Sequence, residues 1–251
     1  MSIFAWYGYE GSLVKRAGAL KQAGFSSLSL WWEREDNRPP KENLKILRRL
    51  EMNIDLVHIP YFSNGLWADE KGLLEESFLE VLQELHEAEI PRAVFHPTTL
   101  EEIGLPVSPA GLELAHRLFY RSKELGIGLL VENLQRDPHL FILVENIDFG
   151  LCLDTGHLGI SGNYERLRKY FHRIEALHLH DNDGKTDLHL IPGDGILPLN
   201  KWLRDVPRGV EYHLEINRGL SDFYNQYSEM DYLHRAKKSL YALGGRDEKE
   251  F

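Results

Sequence analysis

The chain has 251 residues, an apolar fraction of 43 % and a formal charge of −10 at pH 7. That length suits one (β/α)8 barrel and can bury a large core, while the acidic balance repels phosphate backbones and disfavours a nucleic-acid partner unless a local basic groove intervenes. No apolar run reaches the ~20 residues that would span a bilayer, and the first residues, MSIFAWYGYEG, show neither the basic nor the long apolar region of a secretory signal.

Short apolar runs alternate with longer amphipathic ones. Strands are predicted at 3–6, 27–31, 54–59, 93–96, 128–132, 149–154, 176–180 and 210–216, and helices at 13–23, 41–51, 73–88, 109–125, 164–171 and 225–243. In the fourth of these helices Leu112, Leu114, Ala115, Leu118 and Phe119 recur at helical spacing. Strands alternating with helices imply parallel βαβ units, and eight of them in this order predict a closed (β/α)8 barrel forming one domain over residues 1–251. An open doubly wound sheet is the alternative. The Pro- and Gly-rich stretches at 38–41, 104–111 and 192–198 are short enough to be loops, and the polar residues 244–251 are expected to fray. The only cysteine, Cys152, lies in a buried strand pattern, where it reads as a small core residue; a lone thiol suits a cytoplasmic location.

Most predicted strands run apolar and then finish on a carboxylate or a histidine. LVHIPY supplies His58, AVFHPTT His96, LLVENL Glu132, GLCLDTGH Asp154 and His157, ALHLHDND His178 and His180, and YHLEINRG His213 and Glu215. In a parallel barrel every C-terminal strand end lies on one face, so these residues converge. Burying carboxylates among apolar strands is costly unless each is paired or binds a cation, and a dication shared by imidazoles and carboxylates satisfies all of them. A mixed Asp/Glu/His set suits Zn²⁺, Mn²⁺, Fe²⁺ or Co²⁺, with Mg²⁺ a further option. A lone His58 or His96 reads more readily as a hydrogen-bonded strand-end histidine than as a ligand, and His213, deeper on its strand face, as a support behind a ligand or a core residue. His139 and His172 flank helices and carry no signal. The densest polar stretch is HLHDNDGKTDLHLIPGDG, residues 178–195, in which Asp187 and His189 stand two apart and share a face if the segment is extended. Its alternative reading is a charged loop.

VHIPY, VFHP, LVEN, CLDTGH, HLHDNDGKTDLHLIPGDG and LEI, taken in this order, resemble the xylose isomerase-like superfamily, which groups sugar isomerases and epimerases with endonuclease IV-type enzymes. The resemblance runs from strand three to strand eight. It implies a shared metal site of Glu132, Asp154, His178 and Glu215, with His178 preferred to His180 because the superfamily pattern His-x-x-Asp/Glu matches His178 and Asp181; His180 is expected to line the pocket. In the sugar-isomerase-like members it implies a metal that grips two sugar oxygens, Glu132 and Glu215 as the proton-transfer pair acting through an enediolate, and His157 on a substrate hydroxyl or carbonyl. In endonuclease IV-type members the resemblance implies three zinc ions, for which His58, His96, Glu132, Asp154, His157, His178, Asp187, His189 and Glu215 are all counterparts.

Three departures rank the hydrolase second. HDNDG with a short spacer before DLH replaces that family's longer segment ending in Asp-Arg-His, the chain leaves little room for DNA-binding loops, and the net charge is −10. The expected activity is therefore metal-dependent isomerisation or epimerisation of a sugar or sugar phosphate. Trp31, Trp67 and Arg218 are further candidate substrate contacts, Arg136 lies near the same strand ends, and Tyr61 and Phe62 add rings on which the C–H faces of a sugar could pack. A loop aromatic such as Trp67 fits either a substrate lid or a contact between copies in a homo-oligomer.

Overall fold

A computed structural model describes residues 2–62, 65–69 and 72–244. Eight strands, β1 (Ser2–Phe4), β2 (Ser27–Trp31), β3 (Asn53–His58), β4 (Arg92–Phe95), β5 (Gly128–Glu132), β6 (Gly150–Asp154), β7 (Ile174–Leu179) and β8 (Glu211–Leu214), pair in sequence order into a closed barrel. Every pairing is parallel, and Ser2↔His213 and Ile3↔Leu214 close the ring between β1 and β8. The expectation of a (β/α)8 barrel holds, and the open sheet is excluded by that closure.

Helices α1 (Leu13–Gln22), α2 (Pro40–Arg49), α3 (Leu73–Glu87), α4 (Pro109–Glu124), α5 (Leu140–Asn146), α6 (Thr155–Ser161), α7 (Tyr164–Leu167), α8 (Leu199–Trp202) and α9 (Glu229–Gly244) follow the strands. Their starts are legible locally. Ser108 accepts a hydrogen bond from Gly111 N at 3.0 Å with Pro109 already in place, so the first turn of α4 is capped before its apolar stripe begins. That stripe buries Leu114, Ala115 and Leu118 against the barrel.

Three short helices, α5, α6 and α8, have no counterpart among the predicted helices, because seven or four residues are too few to display a helical period. The helix predicted at 164–171 divides into α7 and a 3-10 segment, Arg168–Arg173. The one predicted at 225–243 begins instead at Glu229, after a separate 3-10 turn, Asp222–Tyr224. Of the 244–251 stretch expected to fray, residues 245–251 lie outside the described residues, and Gly244 ends α9.

The inside of the barrel explains how the strands position a site. Leu56, Val94, Leu130, Cys152 and Ala176 form a closed apolar cluster, each on its own strand. Side chains on a strand repeat on the same face every two residues. Two residues further toward the mouth, those five strands present His58, His96, Glu132, Asp154 and His178. Cys152 is thus a barrel-interior residue, fully buried, and burial pushes its thiol up to about 11.

Candidate metal centre

Glu132, Asp154, His178 and Glu215 each offer one ligand atom within 4.8 Å of the others. They come from four consecutive strands: Glu132 and Asp154 end β5 and β6, His178 is the penultimate residue of β7, and Glu215 follows β8. Register fixes their neighbourhood, since Asp154 pairs with His178 and His178 with His213. Glu132, Asp154 and His178 are at most 1 % exposed, so water does not solvate their charges.

Their donor atoms approach one another closely. His178 Nδ1 lies 2.9 Å from Glu215 Oε2 and 3.2 Å from Glu132 Oε2. None of these atoms has a well-aligned hydrogen-bond partner although each is buried, and His178 Nε2 is orphaned as well. A buried carboxylate or imidazole left without a donor or acceptor is expensive, and a divalent cation among these four residues would satisfy the set. The donor chemistry fits the cation.

Among the described residues three further clusters adjoin the first, one of them Glu132, Cys152 and His178. His58, His96 and Glu132 also have ligand atoms within 4.8 Å of one another, as do His180, Asp187 and His189. Glu132 Oε2 is 3.3 Å from His58 Nε2 and 3.5 Å from His96 Nε2, and this one glutamate serves three of the four clusters. His157 Nε2 stands 3.1 Å and His189 Nε2 3.3 Å from Asp187 Oδ2. All nine residues matched to the hydrolase pattern are therefore brought to one mouth.

The charges hold one another in ionised form. Burial alone would lower the His178 imidazole, yet Cys152, Glu215 and Glu132 around it raise it well above the ordinary range. Burial would likewise raise Glu215, and His178 overrides it, holding the carboxyl far down. Asp187, despite burial, is kept well below the usual carboxylate range by hydrogen bonds to His157 and His189.

Local backbone chemistry sets these positions. The Asp154 carboxylate caps α6, accepting from His157 N at 2.6 Å, so the strand end and the helix start are one device that presents His157. Gly156 is required within that turn, because a Cβ there would lie 1.9 Å from the His180 ring. After β7 the chain runs as a long loop before α8, and Asp181 organises it by accepting from Asn182 N, Gly193 N and Leu197 N at 2.9, 3.0 and 3.0 Å. Asp187 and His189 ride on this loop. His189 adopts φ 44°, an uncommon conformation for a side-chain-bearing residue, and its Nδ1 meets Glu215 O at 2.5 Å.

Several expected substrate contacts need revision. His180 does not line the pocket: it is fully buried behind Asp154, its Nε2 at 3.0 and 3.1 Å from the two carboxylate oxygens and its ring stacked on His189 at 4.1 Å. Trp67 is neither lid nor exposed loop aromatic. It is 6 % exposed, donates through Nε1 to Pro97 O at 2.8 Å and stacks on His139, because its indole buries more favourably against the β4 and β5 loops than at the mouth. The Arg218 guanidinium turns onto the Tyr9 ring at 5.1 Å instead of into the cavity. Trp31 does line the cavity, packed against His58 at 3.8 Å and Tyr61 at 4.8 Å between ring centroids.

Asn133, Thr155 and His139 stood out in no sequence pattern. Asn133 pairs with the Asp154 backbone in both directions at 2.9 Å, tying the ends of β5 and β6 together. Thr155 Oγ1 donates to His180 O at 2.6 Å, fixing the end of β7. Buried His139 joins Thr98 and Leu105 O at 3.0 Å each. Asn133 and Thr155 directly follow Glu132 and Asp154, and that adjacency was the available signal.

The mouth opens into two connected spaces. One, of about 190 Å³, is lined by Phe4, Trp6, Trp31, Glu132, His157 and Glu215 among others. The second, of about 710 Å³, leaves it sideways past Tyr61, His96, His157 and Asp187, between the loops that follow β4 and β5. Among the described residues no helix is long and apolar enough to cross a membrane.

Comparison with known proteins places this geometry. The crystal structure of a D-tagatose 3-epimerase-like protein superposes with a TM-score of 0.75 at 20 % identity, covering 97 % of this chain and 95 % of the other. The TTHB071 protein from Thermus thermophilus, studied after soaking with ZnCl2, gives 0.64 at 22 % identity, covering 98 % and 96 %. At these identities the likeness is one of fold. Uncharacterized protein MJ1614 from Methanocaldococcus jannaschii is 29 % identical over 93 residues, 34 % of this chain, and the match spans only 37 % of that relative's length. The family model described as "Xylose isomerase-like TIM barrel" matches residues 17–219, from α1 past β8 and including Glu132, Asp154, His178 and Glu215, and the chain belongs to that family.

Proposed function

We propose that this protein is a divalent-metal-dependent isomerase or epimerase of sugars in which Glu132 and Glu215 move the proton. The observation that carries this reading is the convergence of Glu132, Asp154, His178 and Glu215 within 4.8 Å beside a cavity of about 190 Å³. A bound Zn²⁺ or Mn²⁺ would polarise a carbonyl and a neighbouring hydroxyl oxygen of the sugar and so acidify the C–H bond at that position. The chain's own groups do the rest. Glu132 and Glu215 are carboxylates held ionised by His178, each able to accept or return a proton. Trp31 and Phe4 give the cavity an apolar wall for a sugar's C–H face. His157, held by Asp187, presents a polar edge to a substrate oxygen. The likeness to a D-tagatose 3-epimerase-like protein supports the reading at the level of fold.

A second reading, a phosphodiester hydrolase with three metal ions, is favoured by one observation: Glu132 belongs to three ligand clusters at once, with a further one at Asp187. The charge of −10 and the scarcity of cations around the mouth weigh against it.

Metal content and solvent exchange separate the two. The proposal expects one tightly held ion per chain and metal-dependent exchange of a ketose C–H proton with deuterated solvent. Three zinc ions per chain with nicking of abasic DNA, and no exchange on any ketose, would replace it with the hydrolase.

A further inference from the structure

His180 is completely buried and lines neither of the two cavities, so a substrate there would not touch it. Burying an imidazole is costly unless its nitrogens are used, yet the surrounding chain is shaped to hold this one. Thr155 grips its backbone twice, donating through Oγ1 to His180 O at 2.6 Å and accepting from His180 N at 3.0 Å. The ring stacks on His189, 4.1 Å between centroids and 8° between planes. It also packs against Gly156, where a Cβ would come within 1.9 Å of Cε1.

The ring is held against Asp154. Nε2 lies 3.0 Å from Oδ2 and 3.1 Å from Oδ1. A carboxylate that binds a cation is deprotonated and can only accept, so Nε2 is the nitrogen that must carry a proton and donate it. Nδ1 is buried with no hydrogen-bond partner among the described residues. Asp154 Oδ1 accepts in addition from His157 N at 2.6 Å. Two donors, one just past β7 and one in the first turn of α6, therefore fix the plane of this carboxylate within the protein itself.

A different role, direct ligation, has to be weighed, because His180 also has a ligand atom within 4.8 Å of those of Asp187 and His189. The distances decide between the two. Nε2 is at hydrogen-bond distance from both Asp154 oxygens, whereas Asp187 Oδ1 stands 3.9 Å from it.

Resting on the metal centre of the proposed function, but not on the reaction assigned to it, we propose that His180 is a positioning residue. Its Nε2–H holds the Asp154 carboxylate in the orientation in which it joins Glu132, His178 and Glu215, and so sets how tightly the centre takes a divalent cation. Hydrogen-bond partners behind a metal ligand contribute about ten- to hundredfold in affinity.

The test uses Co²⁺, whose visible absorption reports its coordination, and compares the wild-type protein with His180→Phe and His180→Gln. Phe keeps a ring to stack on His189 but cannot donate; Gln restores an N–H. Near-UV circular dichroism without metal checks folding. His180→Phe should weaken Co²⁺ binding by about ten- to hundredfold and shift its absorption bands, with the number of ions at saturation unchanged. His180→Gln should recover part of the affinity. A folded His180→Phe protein with wild-type affinity and spectrum would overturn the assignment. So would the loss of one ion per chain in either variant, which would make His180 a ligand. A measurement on the wild-type protein does not depend on either variant folding. In nitrogen NMR of the histidine-labelled, Zn²⁺-loaded chain, His180 should show a protonated Nε2, and a bare Nε2 would overturn the proposal. The two layers of the argument fail separately. A wild-type protein that binds no divalent cation removes the metal centre itself, whereas tight binding indifferent to His180 removes only the role given to this residue.

Discussion

Two rings of side chains lie one above the other inside this barrel, two residues apart on the same five strands. The lower ring, Leu56, Val94, Leu130, Cys152 and Ala176, is apolar and closed. The upper, His58, His96, Glu132, Asp154 and His178, is ionisable and nearly as buried, with His58, Glu132, Asp154 and His178 at most 2 % exposed. Position in the fold differs by one pleat, yet the physical demands are opposite. The lower ring gains from leaving water. The upper ring loses from it, and its charges offset one another at 2.9–3.5 Å and, on the proposed function, through a cation. Stability and chemistry are thereby assigned to adjacent layers, and substitutions in the two should part company in what they damage.

The largest effect is expected for Glu132→Gln and Glu215→Gln. Each keeps the side chain's shape and removes its capacity to take a proton, so turnover should fall by ~10²–10⁴-fold or beyond, the usual share of general acid–base catalysis. Circular dichroism should be unchanged. Exchange of the substrate C–H proton that survives in both variants would remove the proton-transfer roles from these residues.

One layer down, Leu130→Ala should behave in the opposite way. It opens a cavity among fully buried neighbours and should destabilise the protein by ~2–5 kcal/mol. Trp67→Ala, outside the barrel, belongs with it: the indole is 6 % exposed and holds Pro97 O and His139, so a loss of ~3–5 kcal/mol is expected. Denaturant midpoints check both. A stable Trp67→Ala protein with impaired sugar binding would return that residue to the pocket wall.

Metal removal should be felt only in the upper ring. A ligand present at a hundred times its Kd stabilises the folded chain by ~2.7 kcal/mol, so a chelator should lower Tm of the wild-type protein and of Leu130→Ala by a similar increment. Glu132→Gln should lose most of that increment, since Glu132 belongs to three of the four ligand clusters. A chelator that leaves Tm unmoved in wild-type protein known to have contained metal would place the ion outside this ring.

The same two-residue step explains what could be read in the sequence. Glu132 and Asp154 each close an apolar run, and a parallel barrel gathers such strand ends on one face, so the convergence of strand-end carboxylates and histidines follows from periodicity and topology together, while the resemblance to the xylose isomerase-like superfamily singles out Glu132, Asp154, His178 and Glu215 among them. The long helices were legible for the same reason, as α4 shows with its capped start and regular stripe. Short elements were not: α6 takes its start from the Asp154 side chain, a contact that no period reveals. Orientation within loops was equally hidden. Trp31 closes a predicted strand and ends β2 inside the barrel pleat, whereas Trp67 follows a predicted strand on a loop free to turn inward, and only Trp67 leaves the mouth. Arg218 differs in the same manner, its guanidinium lying over the Tyr9 ring instead of in the cavity.

Trp31 provides the smallest and most discriminating effect. Its ring lies over His58 at 3.8 Å between centroids, edges Phe4 at 6.0 Å and faces the cavity beside Tyr61. Truncation to Ala removes a wall and none of the clustered ligands. If a sugar packs its C–H face there, losing an aromatic contact of ~0.5–1.5 kcal/mol should raise KM by roughly two- to tenfold with kcat little changed. An unstacked His58 is the competing consequence. If His58 serves only as a neighbour of Glu132, its ring reorients and kcat holds; if His58 holds a metal ion required by the reaction, Trp31→Ala lowers kcat and metal content together. Trp31→Phe, which keeps a ring over His58, should recover either parameter in part. A rise in KM alone keeps the upper ring a single-metal sugar site, and a joint loss of kcat and metal shifts it toward the hydrolase arrangement in which His58 and His96 take an ion of their own.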